Sequence, residues 1–196
     1  MRRFLLGLSL ALFASAPARA ADFNAADKAD LARISDYLNS IHTMRGGFLQ
    51  VGPDGRESSG KFYILKPGKM RFDYDPPSPT LVIANGLSVV VFNTKLKTSN
   101  SYPESVSPLN LLLSDNIHLV RSDSIESIER QPGELIVNAR SGDRRTTSKV
   151  TIVFADPNLE LRQWTIIDAQ GLATTVSLRD AQTGIDLLES AFKTSQ

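Results

Sequence analysis

Between Gly60 and Pro77 the chain reads Gly-Lys-Phe-Tyr-Ile-Leu-Lys-Pro-Gly-Lys-Met-Arg-Phe-Asp-Tyr-Asp-Pro-Pro, and this stretch constrains the fold more than any other. Two short extended runs meet at Lys66-Pro67-Gly68, where Pro presets φ near −65° and Gly supplies positive φ. Beyond the turn, Met70, Phe72 and Tyr74 alternate with Lys69, Arg71 and Asp73. A period of two gives a strand with one apolar, aromatic face and one charged face. Such a strand belongs to an antiparallel sheet wetted on one side. What covers the apolar face is then the functional question.

The same signals recur along the chain. Met44–Val51, Glu57–Leu65 and Lys69–Tyr74 read as strands, and Asp75-Pro76-Pro77-Ser78-Pro79 interrupts pairing. Thr80–Ala84 and Leu87–Asn93 flank Asn85-Gly86, a favoured hairpin turn, and Lys97–Tyr102 comes next. After a gap come Ile125–Arg130, Glu134–Arg140, Ser148–Phe154, Leu161–Asp168 and Leu172–Arg179. The tail Gly184–Phe192 suits either an edge strand or a frayed helix. Ten or eleven short strands with regular turns predict one large antiparallel sheet, curled or closed.

Two segments depart from this pattern. Asn24 with Asp27 three residues on is a variant capping box. The helix it starts carries Leu31, Ile34, Leu38 and Ile41 as one apolar stripe opposite Lys28, Asp30, Arg33 and Asp36. The second segment is Ser107-Pro-Leu-Asn-Leu-Leu-Leu-Ser114, with Ser as N-cap and Pro at the first helical position. Leu109, Leu111, Leu112 and Leu113 leave this short helix apolar around most of its circumference. It is either a plug in the core or a lid over a cavity.

The N-terminus reads as an export signal. Met1-Arg2-Arg3 is basic, Phe4–Ala16 is apolar, and Ala18-Arg19-Ala20 fits a cleavage site. The apolar run is shorter than the ~20 residues a spanning helix needs. Residues 1–20 are read as a cleaved signal peptide and 21–196 as a single domain. That reading places the protein in the periplasm. Without Arg2, Arg3 and Arg19 the 22 Lys and Arg fall to 19, against 21 Asp and Glu. This balance points away from nucleic acid and from anionic membrane surfaces. The chain has no cysteine, so it carries neither a disulfide nor a lipid-anchoring thiol.

Catalytic and metal motifs are missing. The chain holds two histidines, His42 and His118, whereas a zinc site wants three or four ligands. There is no G-x-S-x-G elbow, H-E-x-x-H pair or phosphate-binding glycine loop. No cofactor, no metal and no enzymatic activity are expected. Trp164 suits apolar packing or stacking on a sugar.

The chain resembles the periplasmic outer-membrane lipoprotein carrier family, the LolA-type proteins. The matching segments are Gly47-Phe-Leu-Gln50, Gly60–Tyr74, Leu81–Gly86, Ser107–Leu113 and Leu161–Ile167. The resemblance implies a mainly β (α+β) fold: an unclosed, strongly curled antiparallel half-barrel of about eleven strands. Short helices would form a lid over an apolar cavity that takes lipoprotein acyl chains. The expected lining is Phe48, Met70, Phe72, Tyr74, Ile83, Val89, Val91 and Trp164. The expected lid carries Leu31, Ile34 and Leu38 on one helix and Leu109, Leu111, Leu112 and Leu113 on the other.

Such proteins usually carry an Arg before the strand-turn Pro, held to latch the lid. Lys66 stands there in this chain. The implied partners are acylated lipoproteins, an ATP-driven inner-membrane transporter that releases them, and an outer-membrane receptor or the outer membrane itself. The protein is expected to act as a monomer. The residues alone leave open a carrier or sensor of another lipid or glycolipid, a hydrolase, and a module whose apolar face is only its core.

Overall fold

The structure, a computed structural model, describes residues 23–103, 110–141 and 148–194. The expected signal peptide, the Ser107-Pro108 cap and Leu109 lie outside the described residues. Helix α1 (Ala25–Ser40) starts at the anticipated capping box: Asn24 accepts from the Asp27 N–H, and Asp27 accepts from the Asn24 N–H. Six strands come after it: β1 (Thr43–Val51), β2 (Glu57–Leu65), β3 (Lys69–Tyr74), β4 (Thr80–Asn85), β5 (Ser88–Asn93) and β6 (Thr98–Pro103). A four-residue helix α2 (Asn110–Leu113) and a 3-10 turn (Leu119–Arg121) come next. Five more strands complete the sheet: β7 (Ile125–Gln131), β8 (Glu134–Ser141), β9 (Ser148–Ala155), β10 (Glu160–Ile167) and β11 (Ala173–Thr183).

The eleven strands form one sheet in the order β6-β5-β4-β3-β2-β1-β11-β10-β9-β8-β7. All pairs are antiparallel. Two meanders are thus joined at the centre by β1 and β11. β6 and β7 stand at opposite edges, so the sheet is unclosed. Register shifts between Arg45 and Gly47, Leu161 and Gln163, and Ile125 and Ser127 mark bulges, which bend strands and sharpen their twist.

Alternation assigns the faces. Met44, Phe48, Phe62, Ile64, Met70, Phe72, Val137, Val150, Ile152, Phe154, Trp164 and Val176 belong to one buried cluster on the concave face, together with Leu31, Ile34 and Leu38 of α1. Two glycines make room for its rings. A Cβ on Gly46 would stand 2.8 Å from the Phe62 ring, and one on Gly60 would meet the Asp73 carbonyl and stand 2.7 Å from Phe48. The rings lie over the bare backbone, where no other residue leaves space.

The convex face holds a second, smaller cluster: Leu81, Ile83, Val90 and Phe92, covered by Phe192. Phe192 comes from a 3-10 turn, Glu189–Phe192. The tail is therefore neither an edge strand nor an α-helix. Arg71 donates to the Ala191 carbonyl at 2.9 Å and Lys69 pairs with Glu189, fixing the turn against β3. Strand β11 also runs four residues past Arg179, because Gln182 and Thr183 pair with Arg45 and Met44.

Gly60→Ala is expected to cost about 1–3 kcal/mol, the usual cost of overpacking. A urea denaturation midpoint unchanged from wild type would contradict this account of the ring packing.

Candidate functional site

The concave face is apolar because every second residue of strands β1 to β3 and β8 to β10 points to it. Its centre is aromatic. Phe48 lies edge-on to Phe72 and Tyr74, with centroids 4.8 Å and 5.0 Å away. Phe72 stacks on Phe62 at 5.9 Å and meets Trp164 edge-on at 6.2 Å. Edge-to-face pairs of this kind add about 0.5–1.5 kcal/mol beyond area burial. Tyr74 is half-buried and donates its hydroxyl to Gln50 Oε1 at 2.7 Å. Burial raises the Tyr74 phenol pKa, opposed by that hydrogen bond.

Phe48, Met70, Phe72, Tyr74 and Trp164 thus converge as the alternation requires. Val89 packs on the same cluster, and Val91, paired with Val82, shares its face. Ile83 does not. It pairs with Val90, on the convex face. A two-residue turn between β4 and β5 sets directly opposed residues on one face, so Ile83 cannot share a face with Val89. The turn itself sits one residue later than Asn85-Gly86 suggests. Asn85 ends β4, its side chain accepts from the Leu87 and Ser88 N–H groups, and Leu87 stands exposed. Val82 and Ala84 take the concave positions instead.

Over this face lie α1 and α2. Leu31 and Ile34 are completely buried, and Leu38, Leu112 and Leu113 nearly so. Leu111 packs half-buried on the same cluster. Each fully buried Leu or Ile contributes about 1.5–3 kcal/mol relative to exposure. The concave face is therefore filled by the helices' own side chains. Beside α2 a cleft of about 300 Å³ opens, lined by Leu111, Ser114, Asn116, Ile117 and His118 among others. A hollow of about 460 Å³ on the convex face is walled by Arg45, Lys61, Asp75 and Asp180, a chemistry unsuited to hydrocarbon.

Polar tethers hold the helices to the sheet. Lys66 Nζ donates to the Leu38 carbonyl at 2.7 Å, near the end of α1. The Gly68 N–H donates to the Leu113 carbonyl of α2 at 3.0 Å. One strand turn thus grips both helices. Sequence reasoning missed the remaining tethers. Asn39 exchanges two bonds with the Ile117 backbone. Ser35, buried, donates to the Leu31 carbonyl and accepts from the Leu119 N–H. Tyr37 accepts from the Leu161 N–H. Ser35 falls on the stripe, four residues after Leu31 and three before Leu38, so its spacing alone marks it for burial, whereas Tyr37 and Asn39 flank the stripe and no sequence signal separates them from solvated polar residues. At the start of α1, Arg130 of β7 reaches Asp27 and Asp30, while Arg33 reaches Asp156.

Residues 39–195 match the family described as "Outer membrane lipoprotein carrier protein LolA". The chain belongs to this family. It is 27% identical over 175 residues to the outer-membrane lipoprotein carrier protein of Methylococcus capsulatus, covering 83% of this chain and 82% of that one. It is 31% identical over 103 residues to the outer-membrane lipoprotein carrier protein of Azotobacter vinelandii, covering 50% and 47%. Among solved structures, the LolA superfamily protein NE2245 from Nitrosomonas europaea aligns at 12% identity and a TM-score of 0.43, covering 84% of this chain and 97% of that one. The LolA family is a carrier family, and the unclosed eleven-stranded sheet with its covering helices accords with membership in it.

Within this LolA-family chain, Lys66 is the tether most open to solution conditions. Burial pushes its ammonium down to about 8, opposed by the charge of Asp115. With the helices in place Lys66 holds its proton less tightly than in solvent, where the value is near 10.5. Between those values the folded, covered state binds fewer protons, so its stability rises with pH from about 8 toward 10.5. The wild-type unfolding free energy should gain on that of Lys66→Arg across this window, because a guanidinium keeps its charge. A difference that stays constant from pH 7 to 10 would refute the assignment.

Proposed function

We propose that this protein is a periplasmic carrier that takes the acyl chains of lipoproteins released from the inner membrane and delivers them to the outer membrane. One observation carries the reading. Among the described residues the apolar face of an unclosed sheet is covered chiefly by two helices, and one strand turn holds both through hydrogen bonds to their carbonyls, Lys66 to Leu38 and Gly68 to Leu113. Acyl chains replace Leu31, Ile34, Leu38, Leu112 and Leu113 against Phe48, Met70, Phe72, Tyr74 and Trp164. Each buried CH₂ contributes about 0.8 kcal/mol, so chains of ordinary length more than offset the helix contacts they displace. The helices' return to the vacated face then favours release. Lys66 is the latch of that covered state. Loading comes from an ATP-driven inner-membrane transporter, and unloading goes to an outer-membrane receptor or to the membrane itself. The protein works as a monomer and performs no chemistry on its cargo.

Depletion of the protein should make triacylated lipoproteins accumulate in the inner membrane, and the purified protein should release them from spheroplasts as a soluble one-to-one complex. Normal arrival at the outer membrane with no complex formed would overturn the proposal. Phe72→Glu should abolish the complex. Because it also strains the core, Val91→Asp, at a half-buried rim position, should weaken binding at least tenfold with a near-native melting temperature.

A further inference from the structure

The two edges of the sheet are not equivalent. β7 carries Glu126, Glu129 and Arg130 and a bulge between Ile125 and Ser127. Arg130 is held by Asp27 and Asp30 of α1, so the helix stands against that rim. Charges, bulges and covering elements are the devices by which proteins blunt an edge against pairing. β6 ends in Pro103, itself one such device, but Thr98–Tyr102 carries no charge and no bulge. It reads Thr98-Ser-Asn-Ser-Tyr-Pro103, without a charge, and pairs with β5 in unbroken register from Asn93↔Thr98 to Ser88↔Pro103. All six residues are exposed. Among the described residues no strand pairs with its outer side. The run is about 20 Å long, room for a peptide of about six residues.

The position of β6 matters as much as its composition. Tyr102 pairs with Val89 and Asn100 with Val91, so both continue the concave face out to the rim. Tyr102 is 53% exposed there. A cargo whose acyl chains lie on the concave face must lead its polypeptide out over a rim. Of the two side edges, the β7 rim is charged and held to α1, and β6 is the one open to pairing.

We propose that β6 receives the peptide that follows the acylated residue of the cargo, as an added antiparallel or parallel strand. This rests on the acyl-chain reading of the concave face. Main-chain hydrogen bonds supply the contact, and the small uncharged side chains of Ser99, Asn100 and Ser101 admit many sequences. One site can thus serve cargoes that share only their lipid.

The test compares three ligands on the full-length mature protein: a triacylated cysteine amide, the same group with a ten-residue neutral peptide tail, and the tailed ligand N-methylated at every second residue in either phase. In an added strand only alternate N–H groups face the edge. The tail should tighten binding about tenfold, one methylation phase should erase that gain, and the other should leave it. The alternate amides of Thr98–Tyr102 that face away from β5 should gain exchange protection only with the tail. The double variant Ser99→Lys/Ser101→Lys should bring tailed binding down to the tailless level and leave tailless binding unchanged. Equal binding of tailed and tailless ligands, or equal effects of both phases, overturns the strand addition while leaving the acyl-chain reading intact. Protection of β6 that grows with protein concentration in the absence of ligand overturns it in favour of pairing between two copies. Failure of the tailless ligand to bind overturns the acyl-chain reading, and this proposal with it.

Discussion

The pairing of β1 with β11 determines most of the architecture. It joins the first strand to the last, from Met44↔Thr183 to Val51↔Thr175, and so places two sequential meanders side by side in one sheet. Their far strands, β6 and β7, become the free edges. The chain must then travel from one edge to the other, and residues 104–124 make that journey. The described part of that passage sets α2 and the Leu119–Arg121 turn against the concave face. The helix before β1 starts against edge strand β7 and ends at the centre of the sheet, and it meets the crossing segment through Ser35, Asn39 and their backbone partners. A covering layer of helices is thus a consequence of topology before it is a device for function.

The covering layer combines strong apolar burial with weak polar fastening. Leu31, Ile34 and Leu38 dominate its free energy, and they are contacts that any hydrocarbon can imitate. The fastening bonds are individually worth about 0.5–1.5 kcal/mol, rising when a charge takes part. Lys66 offers less than an arginine would at the same place, since it is a flexible point donor whose charge is uncomfortable when buried. A layer built this way is matched to an exchange of like for like: apolar side chains out, acyl chains in.

Much of this is legible from residue order alone. Alternation in Lys69–Tyr74, the turn at Lys66-Pro67-Gly68 and the stripe Leu31–Ile34–Leu38 report local geometry, which period and turn chemistry encode directly. The capping box at Asn24 and Asp27 appears as the spacing requires. The errors lie where a one-residue choice flips a face. Placing the β4–β5 turn at Asn85-Gly86 hides Asn85's role as a side-chain cap, and assigning Ile83 to the face of Val89 and Val91 overlooks the parity that a two-residue turn imposes at either placement. The tail is ambiguous in sequence because Leu187, Ala191 and Phe192 have too short a pattern to fix a period, and their partners on β3 to β5 lie about a hundred residues away. The partners of Ser35, Tyr37 and Asn39 are unreadable for a related reason. A polar side chain's partner is a backbone group elsewhere, which no local pattern reveals.

The tail bears on how the sheet can deform. Strands β3 to β5 are packed on both faces, by the aromatic cluster within and by Phe192, Leu187 and Ala191 without. Across β7 to β11 the convex side instead carries short polar ladders, such as Thr151 to Asn138, Thr165 to Thr175 and Ser177 to Gln163. A sheet clamped between two close-packed layers resists flexing, whereas one backed by water and hydroxyls bends at little cost. The two halves are therefore mechanically unequal, a rigid jaw and a compliant one, and the bulges in β7 and β10 fall on the compliant side.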